Sequence, residues 1–535
     1  IPFGNKIVKN SSSTGRRWQP SLNFNASNEY MLSWSEFAVD NSDIHLNIFD
    51  DSHNSILSNE LKANDDSLGA ISINPQMAVS TDWYNLIVFE DRRNDAGDIY
   101  IQTISNAGIR LYSNIKVNQD NDAVLQTEPA IAASIDLKKS LVTWVDNRDI
   151  NAVSGQRIFA RFGTEFGLFS ENEFLVSDSL QTALKKSPQA AINSSGKALI
   201  VWLDKRLGRD HIYGQWIASN GSLDGADFMV SDSLSDSTIT DLQVAVDNSS
   251  NFYVTYVEKQ QTPRVIKSIQ FLGDGSLGAA FTKEFPVGGI IIEQSAVAVK
   301  SNGNIIVIFG VNDTYRRLYL AEYSSAGVEL TAPFEILDMT NIDAVDPYVA
   351  VSNNDYVSVT WVDTRNGNKE IYTQLFDNLL TPINGNNKVS VDSPEFMQTP
   401  VTTAHNGRVW YSWADPRANG LNIYANNSIY LATDIDDSQQ NIPSGFELIQ
   451  NYPNPFNPST EIAFRLPEKA FVTISVYNML GQHVKTLVES DLSAGVHKTT
   501  WDATNQFNNR VASGIYFYKM ETEEFIEMKK MMLLK

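Results

Sequence analysis

The 535-residue chain contains no cysteine, and this absence excludes disulfide bonds, thiolate metal sites and cysteine nucleophiles. No apolar run reaches about 18 residues, so no transmembrane helix is predicted. Positive charge is also scarce, because 41 Lys and Arg stand against 63 Asp and Glu and leave a net charge of −22. Nucleic acid and anionic lipid attract basic surfaces, so neither is an expected partner.

Catalytic signatures are scarce as well. The six histidines are scattered, and the sequence holds no H-E-x-x-H, no G-x-S-x-G and no phosphate-binding glycine loop. A non-catalytic protein is therefore expected. A hydrolase acting on glycans or peptides is kept as an alternative, since carboxylates from different repeats could pair. The first residue is Ile1 rather than Met, which leads us to expect a trimmed chain, for example one that has lost a signal peptide.

What the chain does contain is one pattern repeated eight times. In each copy an apolar run ends in an aromatic residue, and a polar loop then leads to a second apolar run. The aromatic anchors lie 52 to 58 residues apart and are Trp34, Phe89, Trp144, Trp202, Tyr256, Phe309, Trp361 and Trp413. A repeat of this length that is rich in strand signals and lacks helical periodicity is typical of a propeller blade.

Charged residues follow most of the anchors at fixed distances. An acid stands two residues after seven of them, at Glu36, Asp91, Asp146, Asp204, Glu258, Asp363 and Asp415. Arginine stands four residues after five of them, at Arg93, Arg148, Arg206, Arg365 and Arg417. A residue that recurs in blade after blade is expected to build the blade, so we predict a structural role for the anchors, the acids and the arginines.

The fold predicted for residues 1–433 is an all-β, eight-bladed β-propeller with four strands in each blade. The last repeat lacks a convincing fourth strand, whereas the segment "GNKIVKN" at residues 4–10 resembles one that lacks its first three. We therefore expect Lys6–Lys9 to complete the eighth blade and to leave no open edge.

Loops after the second and fourth strands are expected on one face, and that face would be acidic. Six aspartates of the fourth-strand loops contribute to it: Asp120, Asp122, Asp178, Asp232, Asp236 and Asp392. Carboxylates are hard oxygen ligands, so a hypothesis is that this face binds Ca²⁺ or a cationic ligand. The alternative is that these acids are only solvated by water. The absence of a D-x-D-x-D-G calcium-binding loop favours this alternative. No other cofactor is expected.

Composition changes after the last repeat. Residues 434–445 read as a polar linker, and residues 446–535 read as a small Ig-like antiparallel β-sandwich. The segment "FVTISVYN" alternates apolar and polar residues, with Val472, Ile474 and Val476 on one face. Gly481 and Gly495 are expected in turns.

Several ordered motifs of this module resemble the type A C-terminal sorting domain of the bacterial type IX secretion system. They are "NYPNPFNPST", "VYNMLGQHVKTL", "AGVHKTTWD", "SGIYFYKM" and "MKKMMLLK". The residues that carry the resemblance are Asn451, Tyr452, Pro453, Asn454, Pro455, Phe456, Asn457, Pro458, Gly481, Gly495, Trp501, Gly514 and Tyr516. The resemblance implies a Bacteroidota-like source, export across the outer membrane by that machinery, and a secreted or cell-surface location.

The predicted function is that of a secreted or cell-surface binding protein with a glycan or protein ligand, delivered by the type IX secretion machinery. A structural alternative is a subunit of a surface layer or filament, in which the retained sandwich docks on a neighbouring copy. Such head-to-tail contacts between unlike surfaces can propagate into a homo-oligomer without closing.

Overall fold

The structure is a computed structural model, and it describes residues 6–7, 16–24, 29–37, 41–50, 55–57, 59–66, 70–81, 84–94, 96–120, 124–148, 155–177, 183–231, 238–259, 265–284, 291–312, 315–340, 342–365, 367, 369–390, 401–405, 408–415, 422–429, 446–449, 451, 454, 456, 458–467, 469–479, 481–492, 495–507, 509–523 and 525–534. Every regular element in these residues is a β-strand, so the all-β prediction is confirmed. The chain divides into two compact units, Ile1–Leu431 and Ala432–Lys535. The predicted linker, residues 434–445, lies outside the described residues. No helix in the described part of the chain is long and apolar enough to cross a membrane.

In the described residues of the first unit, strand β1 (Lys6–Ile7) comes first and 31 further strands follow it. Sheet 1 contains β2 (Arg16–Phe24), β3 (Tyr30–Phe37), β4 (Ser42–Phe49) and β5 (Leu61–Lys62). Sheet 2 contains β6 (Ser72–Thr81), β7 (Tyr84–Asp91), β8 (Asp98–Ser105) and β9 (Arg110–Lys116). Sheet 3 contains β10 (Gln126–Ser134), β11 (Lys139–Asp146), β12 (Arg157–Thr164) and β13 (Phe174–Leu175). Sheet 4 contains β14 (Lys185–Ile192), β15 (Ala198–Asp204), β16 (His211–Ile217) and β17 (Leu223–Met229).

The remaining sheets of the first unit follow the same order. Sheet 5 contains β18 (Thr238–Val246), β19 (Phe252–Lys259), β20 (Val265–Phe271) and β21 (Leu277–Glu284). Sheet 6 contains β22 (Ile291–Val299), β23 (Ile305–Asn312), β24 (Arg316–Tyr323) and β25 (Glu329–Glu335). Sheet 7 contains β26 (Ala344–Val351), β27 (Val357–Asp363), β28 (Glu370–Phe376) and β29 (Pro382–Lys388). Sheet 8 contains β30 (Val401–His405), β31 (Arg408–Asp415) and β32 (Asn422–Ile429), and β1 is its fourth strand.

Within each of the first seven sheets, consecutive strands pair antiparallel in chain order. Sheet 8 differs, because β1 pairs with β32 through Lys6 opposite Ala425 and Ile7 opposite Tyr424. Second strands are buried on both faces; all seven residues of β15 and of β27 are buried. A strand buried on both faces must be covered by layers on either side.

Neighbouring sheets supply that cover. Eight clusters of buried apolar side chains fill the spaces between consecutive sheets in the described part of the unit. One of these clusters joins sheet 8 to sheet 1, where Trp410 and Ile423 pack with Tyr30 and Trp34. The indole of Trp410 also stacks on Phe24 with 5.9 Å between ring centroids. The last sheet therefore packs on the first as the others pack on one another.

Each of the first seven first strands carries a bulge, seen as a register shift against the second strand. In five of them one bulge residue has a left-handed backbone with φ between 51° and 56°: Asn74, Glu128, Ser187, Asp241 and Asp346. Proline follows four of these residues. One of these prolines, Pro129, lies inside β10, because a bulge accommodates a residue that has no N–H to donate.

A Val-Ser or Val-Asn dipeptide recurs at the end of several repeats, at Val117-Asn118, Val176-Ser177 and Val230-Ser231. It lies just beyond the fourth strand and not within it. Its polar side chain accepts a hydrogen bond from a backbone N–H of the third strand. Ile99 N donates to Asn118 Oδ1 at 2.9 Å, and Ile212 N donates to Ser231 Oγ at 3.0 Å. The side chain therefore replaces a backbone ladder bond where the short fourth strand ends.

The second unit contains two sheets. One contains β33 (Glu447–Leu448), β34 (Thr460–Leu466) and β37 (Gly495–Trp501), and the other contains β35 (Ala470–Asn478), β36 (His483–Leu492), β38 (Gly514–Glu521) and β39 (Ile526–Leu533). One apolar core joins them, and Val472, Ile474 and Val476 are fully buried in it, as their alternation predicts.

Candidate functional site

The repeated acid and arginine form a compact buried group, which is seen most completely in sheet 4. Asp204 ends β15 and is fully buried. It accepts hydrogen bonds from Trp202 Nε1 at 3.0 Å, from the Arg206 backbone N–H at 2.8 Å and from Arg206 Nη2 at 2.7 Å. Asp204 lies where the strand ends and its loop begins. One carboxylate can therefore accept hydrogen bonds from both the indole N–H of the strand and a backbone N–H of the loop.

Three other sheets repeat this arrangement. Asp91, Asp146 and Asp363 each accept bonds from the backbone N–H and the guanidinium of the arginine two residues later. Each guanidinium also lies over an aromatic ring of the third strand. The distances from the guanidinium carbon to the ring centroid are 4.4 Å for Arg93 over Tyr100, 4.0 Å for Arg148 over Phe159, 3.8 Å for Arg206 over Tyr213 and 3.9 Å for Arg365 over Tyr372.

The guanidinium has a further partner just before or within the fourth strand of its own sheet. Arg206 donates to Asp227, Arg148 to Glu173, Arg93 to Asn114 and Arg365 to Asn386. In sheets 2, 3 and 7 it also pairs with an acid that follows the preceding sheet: Asp65, Asp120 and Asp338. Each arginine therefore connects the second strand, the third strand and the fourth strand, and three of them also join neighbouring sheets.

Burial and pairing have opposed effects on the titration of this group. Burial alone would raise the pKa of Asp204, but hydrogen bonds from Arg206 and Trp202 lower it overall. Lys185 lies 3.8 Å from the same carboxylate and is itself fully buried, and burial lowers the pKa of its ammonium group. The folded sheet therefore holds Asp204 in its ionised form.

The other repeats modify the arrangement. In sheet 5 the buried Glu258 accepts a bond from Lys267, which takes the place of the aromatic ring on the third strand. In sheet 1 Glu36 is bound by two nitrogens of Arg17 on the first strand, at 2.9 and 3.0 Å. Sheet 6 has Val311 in the acid position. In sheet 8 the side chain of Asp415 and the whole of Arg417 lie outside the described residues. All eight aromatic anchors are buried.

Of the six aspartates proposed to form a metal-binding face, only Asp120 lies in the described part of the chain. It accepts a hydrogen bond from Gln126 Nε2 at 2.9 Å and lies 3.9 Å from Arg148. These donors make Asp120 part of the arginine network rather than an open ligand. The other five, Asp122, Asp178, Asp232, Asp236 and Asp392, lie outside the described residues.

The repeat pattern does not identify two sets of polar residues that the structure brings together. The first is the set of left-handed bulge residues, among which Glu128 accepts a hydrogen bond from the backbone N–H of Ser187 in the next sheet. First strands are also where consecutive sheets meet, as β10 does with β6 and β14. The sequence signal for these residues is a polar residue before proline at the start of most repeats.

The second set is Glu36, His45 and Glu60 in sheet 1, whose potential ligand atoms lie within 4.8 Å of one another. His45 Nε2 is 3.9 Å from a Glu36 oxygen, and its Nδ1 is 3.7 Å from a Glu60 oxygen. Burial lowers the pKa of His45, although Glu36 and Asp43 oppose this effect. Glu36 lies on β3, His45 lies on β4 and Glu60 directly precedes β5, so no linear motif reveals them.

The sequence motifs of the second unit meet in its core. Asn451, Phe456, Trp501 and Tyr516 are buried, and Phe456 and Tyr516 both pack on the Trp501 indole. Gly481 has φ of 74° in a turn, as predicted, whereas Gly495 is the first residue of β37. Asn454 and Pro458 are exposed and Gly514 begins β38, while Tyr452, Pro453, Pro455 and Asn457 lie outside the described residues.

Comparison with known proteins identifies an Ig-like domain at the carboxyl end. The family model described as FlgD Ig-like domain matches residues 452–524. No curated protein matches the chain.

Solved structures with a similar arrangement of strands include a protein of unknown function from Dyadobacter fermentans, at 9% identity over 58% of this chain and 97% of that one, with a TM-score of 0.35. PorZ, a surface component of the type IX secretion system of Porphyromonas gingivalis, shares 12% identity over 99% and 82% with a TM-score of 0.29. Prolyl oligopeptidase B from Galerina marginata shares 12% identity over 75% and 55% with a TM-score of 0.42. At these scores none of the three informs the function of this chain.

Replacing Asp204 by Asn is expected to lower the free energy of unfolding at pH 7 by about 3 kcal/mol, the usual cost of breaking a buried ion pair. Asp224→Asn is the matched control, because Asp224 forms an exposed ion pair with Lys197 in the same sheet and should cost less than about 1 kcal/mol. Thermal unfolding followed by circular dichroism measures both.

The pH dependence gives a second readout of the same variant. The pKa of Asp204 is lower in the folded protein than in the unfolded chain, so its stabilising contribution is complete above the unfolded value of about 3.9 and is lost as pH falls through the folded value. The stability difference between wild type and Asp204→Asn should therefore be constant from about pH 7 to 5 and shrink below about pH 4. An unchanged difference at low pH would contradict the ion-pair role.

Proposed function

We propose that this chain is an exported, non-catalytic binding protein. Its first unit would be an eight-bladed β-propeller closed by the amino-terminal strand, and its second unit would act as the sorting domain for the type IX secretion machinery. The protein would then reach the cell surface or the medium and present its first unit to a glycan or protein ligand.

The closed eight-bladed ring is supported by how the sheets meet. Eight four-stranded sheets occur in the described part of the first unit, and each contacts the next in the chain. Sheet 8 packs on sheet 1 through the cluster around Trp410, and β1 supplies its outer strand. A sheet completed by strands from both chain ends leaves no free edge for aggregation.

Ring closure can be tested with one engineered disulfide, because the chain has no other cysteine. The variant Lys6→Cys with Ala425→Cys places two thiols at directly paired positions of β1 and β32. We expect oxidation to cross-link them quantitatively and to raise the melting temperature, since the bond closes nearly the whole unit into a loop. Non-reducing electrophoresis and thermal unfolding provide the measurements.

The control pair is Lys6→Cys with Thr403→Cys, because Thr403 lies on β30 at the opposite edge of the same sheet. It should remain reduced under the same conditions. Equal cross-linking of both pairs, or none in the first, would count against closure by β1.

The sorting role is supported by the way the opening motif binds the carboxyl-terminal strand. Met532 N donates to Asn454 Oδ1 at 2.8 Å, Phe456 N donates to the Met532 carbonyl at 2.9 Å, and Leu534 N donates to the Phe456 carbonyl at 2.9 Å. Two segments that carry the resemblance and lie about 75 residues apart are therefore parts of one folded surface. Such a folded surface offers a receptor one defined shape to recognise.

Delivery can be followed for the full chain behind a signal peptide in a bacterium that has the type IX machinery. We expect wild type at the surface or in the medium, and we expect a chain ending at Leu431 to stay in the periplasm. Asn454→Ala should reduce delivery severalfold, because it removes the bonds from Asn454 to β39. Immunoblots of fractionated cells measure the distribution.

Asn505→Ala is the matched control, since Asn505 makes only local turn bonds in the same unit among the contacts described. Wild type in a strain without the machinery should resemble the chain ending at Leu431. Surface delivery of that shortened chain would overturn the sorting role.

One observation carries the binding role: polar side chains recur at the first-strand bulges, whereas the described motif acids are committed to cations of their own sheets. Left-handed backbone at a non-glycine residue is uncommon and tends to accompany functional surfaces. Glu128, Asp241 and Asp346 give this set of bulge residues an acidic character, which suits ligands rich in hydroxyl, amide or ammonium groups.

A glycan array probed with the fluorescently labelled full chain tests this surface. The triple variant Glu128→Gln, Asp241→Asn, Asp346→Asn keeps the shape of each side chain and should weaken binding at least about tenfold, because hydrogen bonds to charged groups contribute about 1.5–3 kcal/mol each. The control variant Asp224→Asn, Asp274→Asn, Glu329→Gln alters three exposed acids elsewhere. Equal loss in both variants would place the ligand elsewhere.

A further inference from the structure

Sheet 1 retains most of an arginine-binding arrangement but lacks the arginine. In sheets 2, 3, 4 and 7 the residue four positions after the anchor is arginine, whereas in sheet 1 the fourth residue after Trp34 is Ala38. The nearby cation in sheet 1 comes from the first strand, where Arg17 pairs with Glu36 in the register that Lys185 has with Asp204. No arginine of this sheet therefore comes from the motif position.

The acids that face the guanidinium elsewhere are nevertheless present. Glu36 holds the position of Asp204 at the end of the second strand. Glu60 directly precedes Leu61, which pairs with Leu46, as Asp227 precedes Phe228, which pairs with Gly214. In sheet 4 that pair of carboxylates shares one arginine, Arg206.

The ring under this position is also conserved in geometry, although it is histidine. His45 stacks on Trp34 with centroids 6.1 Å apart and planes at 21°. Phe159 stacks on Trp144 at 6.2 Å and 22°. A nitrogen heterocycle thus occupies the place of an ordinary aromatic ring, with one nitrogen near each glutamate.

The distances around His45 are too long for hydrogen bonds but suit a shared ion. The N···O separations of 3.7 and 3.9 Å exceed hydrogen-bond length. These two separations involve different imidazole nitrogens, and one ion binds only one of them. A zinc-type ion with bonds of about 2.1 Å spans a separation of up to about 4.2 Å, which covers the glutamate nearer to that nitrogen. One ligand atom from each of the three residues lies within 4.8 Å of the others, so the second glutamate reaches the ion by a small shift of its side chain. Two buried polar atoms here also have no hydrogen-bond partner within the described residues: His45 Nδ1 and Trp34 Nε1. In sheets 3, 4 and 7 the equivalent indole donates to the motif carboxylate.

We propose that Glu36, His45 and Glu60 bind one divalent transition-metal ion of the zinc class. Such an ion would supply the positive charge that arginine brings to the other sheets, and it would bind one imidazole nitrogen and one oxygen from each glutamate. Imidazole with two carboxylates suits Zn²⁺, Mn²⁺ or Co²⁺, whereas Ca²⁺ and Mg²⁺ prefer oxygen alone. The indole N–H of Trp34 is available to a water on the ion.

Two neighbouring cations limit the affinity. Arg17 binds both oxygens of Glu36, and Lys62 pairs with Asp43 at 2.7 Å beside the site. The ion must therefore share Glu36 with Arg17, as Arg206 and Lys185 share Asp204 in sheet 4. We expect dissociation constants in the micromolar range, well above those of closed structural zinc sites.

The test uses the full chain after treatment with a chelator and its removal. Isothermal calorimetry with Zn²⁺ should show one specific ion per chain, and Co²⁺ should give the visible absorption of a site with a nitrogen ligand. His45→Phe is the key variant, because phenylalanine occupies the equivalent position in sheet 3 and should preserve the stack on Trp34. We expect it to weaken Zn²⁺ binding at least tenfold without lowering the melting temperature of the metal-free protein.

Three further measurements make the result specific. Glu60→Gln should weaken binding to a similar degree. His483→Phe removes an exposed histidine of the second unit and should leave the specific ion unchanged. Ala38→Arg restores the arginine of the repeat and should abolish Zn²⁺ binding by supplying the cation internally. The proposal is overturned if wild type binds no ion, or if His45→Phe and Ala38→Arg bind Zn²⁺ and Co²⁺ as wild type does.

Discussion

The first unit depends on one interaction: a carboxylate buried at the end of a second strand and the cation that pairs with it, which in four sheets is the arginine two residues later. An unpaired charge in this position would cost several kcal/mol, so the carboxylate and a cation must be present together. The guanidinium has five donors in a fixed plane, and the structure uses them for the carboxylate, the fourth strand and the loop of the preceding sheet. The same group therefore fixes the loop, the stacking of the third strand and the spacing between sheets.

The apolar clusters have a different role from this network of ion pairs. They fill the spaces between sheets and are non-directional, so they bring sheets together without fixing their order. The buried ion pairs and the first-strand bulges are directional, so they fix which residues of neighbouring strands and sheets meet. A bulge turns the strand and exposes a polar residue. This explains why the first strands combine buried alanines with exposed acids such as Asp241.

Much of this architecture follows from the repeat alone. The position of each second and third strand is predictable, because burial on both faces requires continuous apolar runs. The positions of the bulges are not predictable in this way. A left-handed conformation at Glu128 or Asp346 depends on the register with the second strand and on the following proline, which has no N–H to donate. Fourth strands end before the Val-Ser dipeptide, because the serine side chain replaces the last ladder bond. The sites formed across strands are the least predictable, and His45 illustrates this: alone it is one scattered histidine.

Comparison among the repeats, rather than any linear motif, separates sheet 1 from the rest. Sheet 5 also lacks the arginine, yet Lys267 on its third strand reaches Glu258 at 3.0 Å and completes the pair. His45 holds the same register as Lys267 and stops 3.9 Å from Glu36. A lysine in that position satisfies its carboxylate directly, whereas a neutral imidazole leaves room between ring and acid. Sheet 1 can lose the arginine of the repeat and still keep its place in the unit. The apolar clusters on either side of it pack it against sheets 8 and 2, and Arg17 pairs with its buried carboxylate.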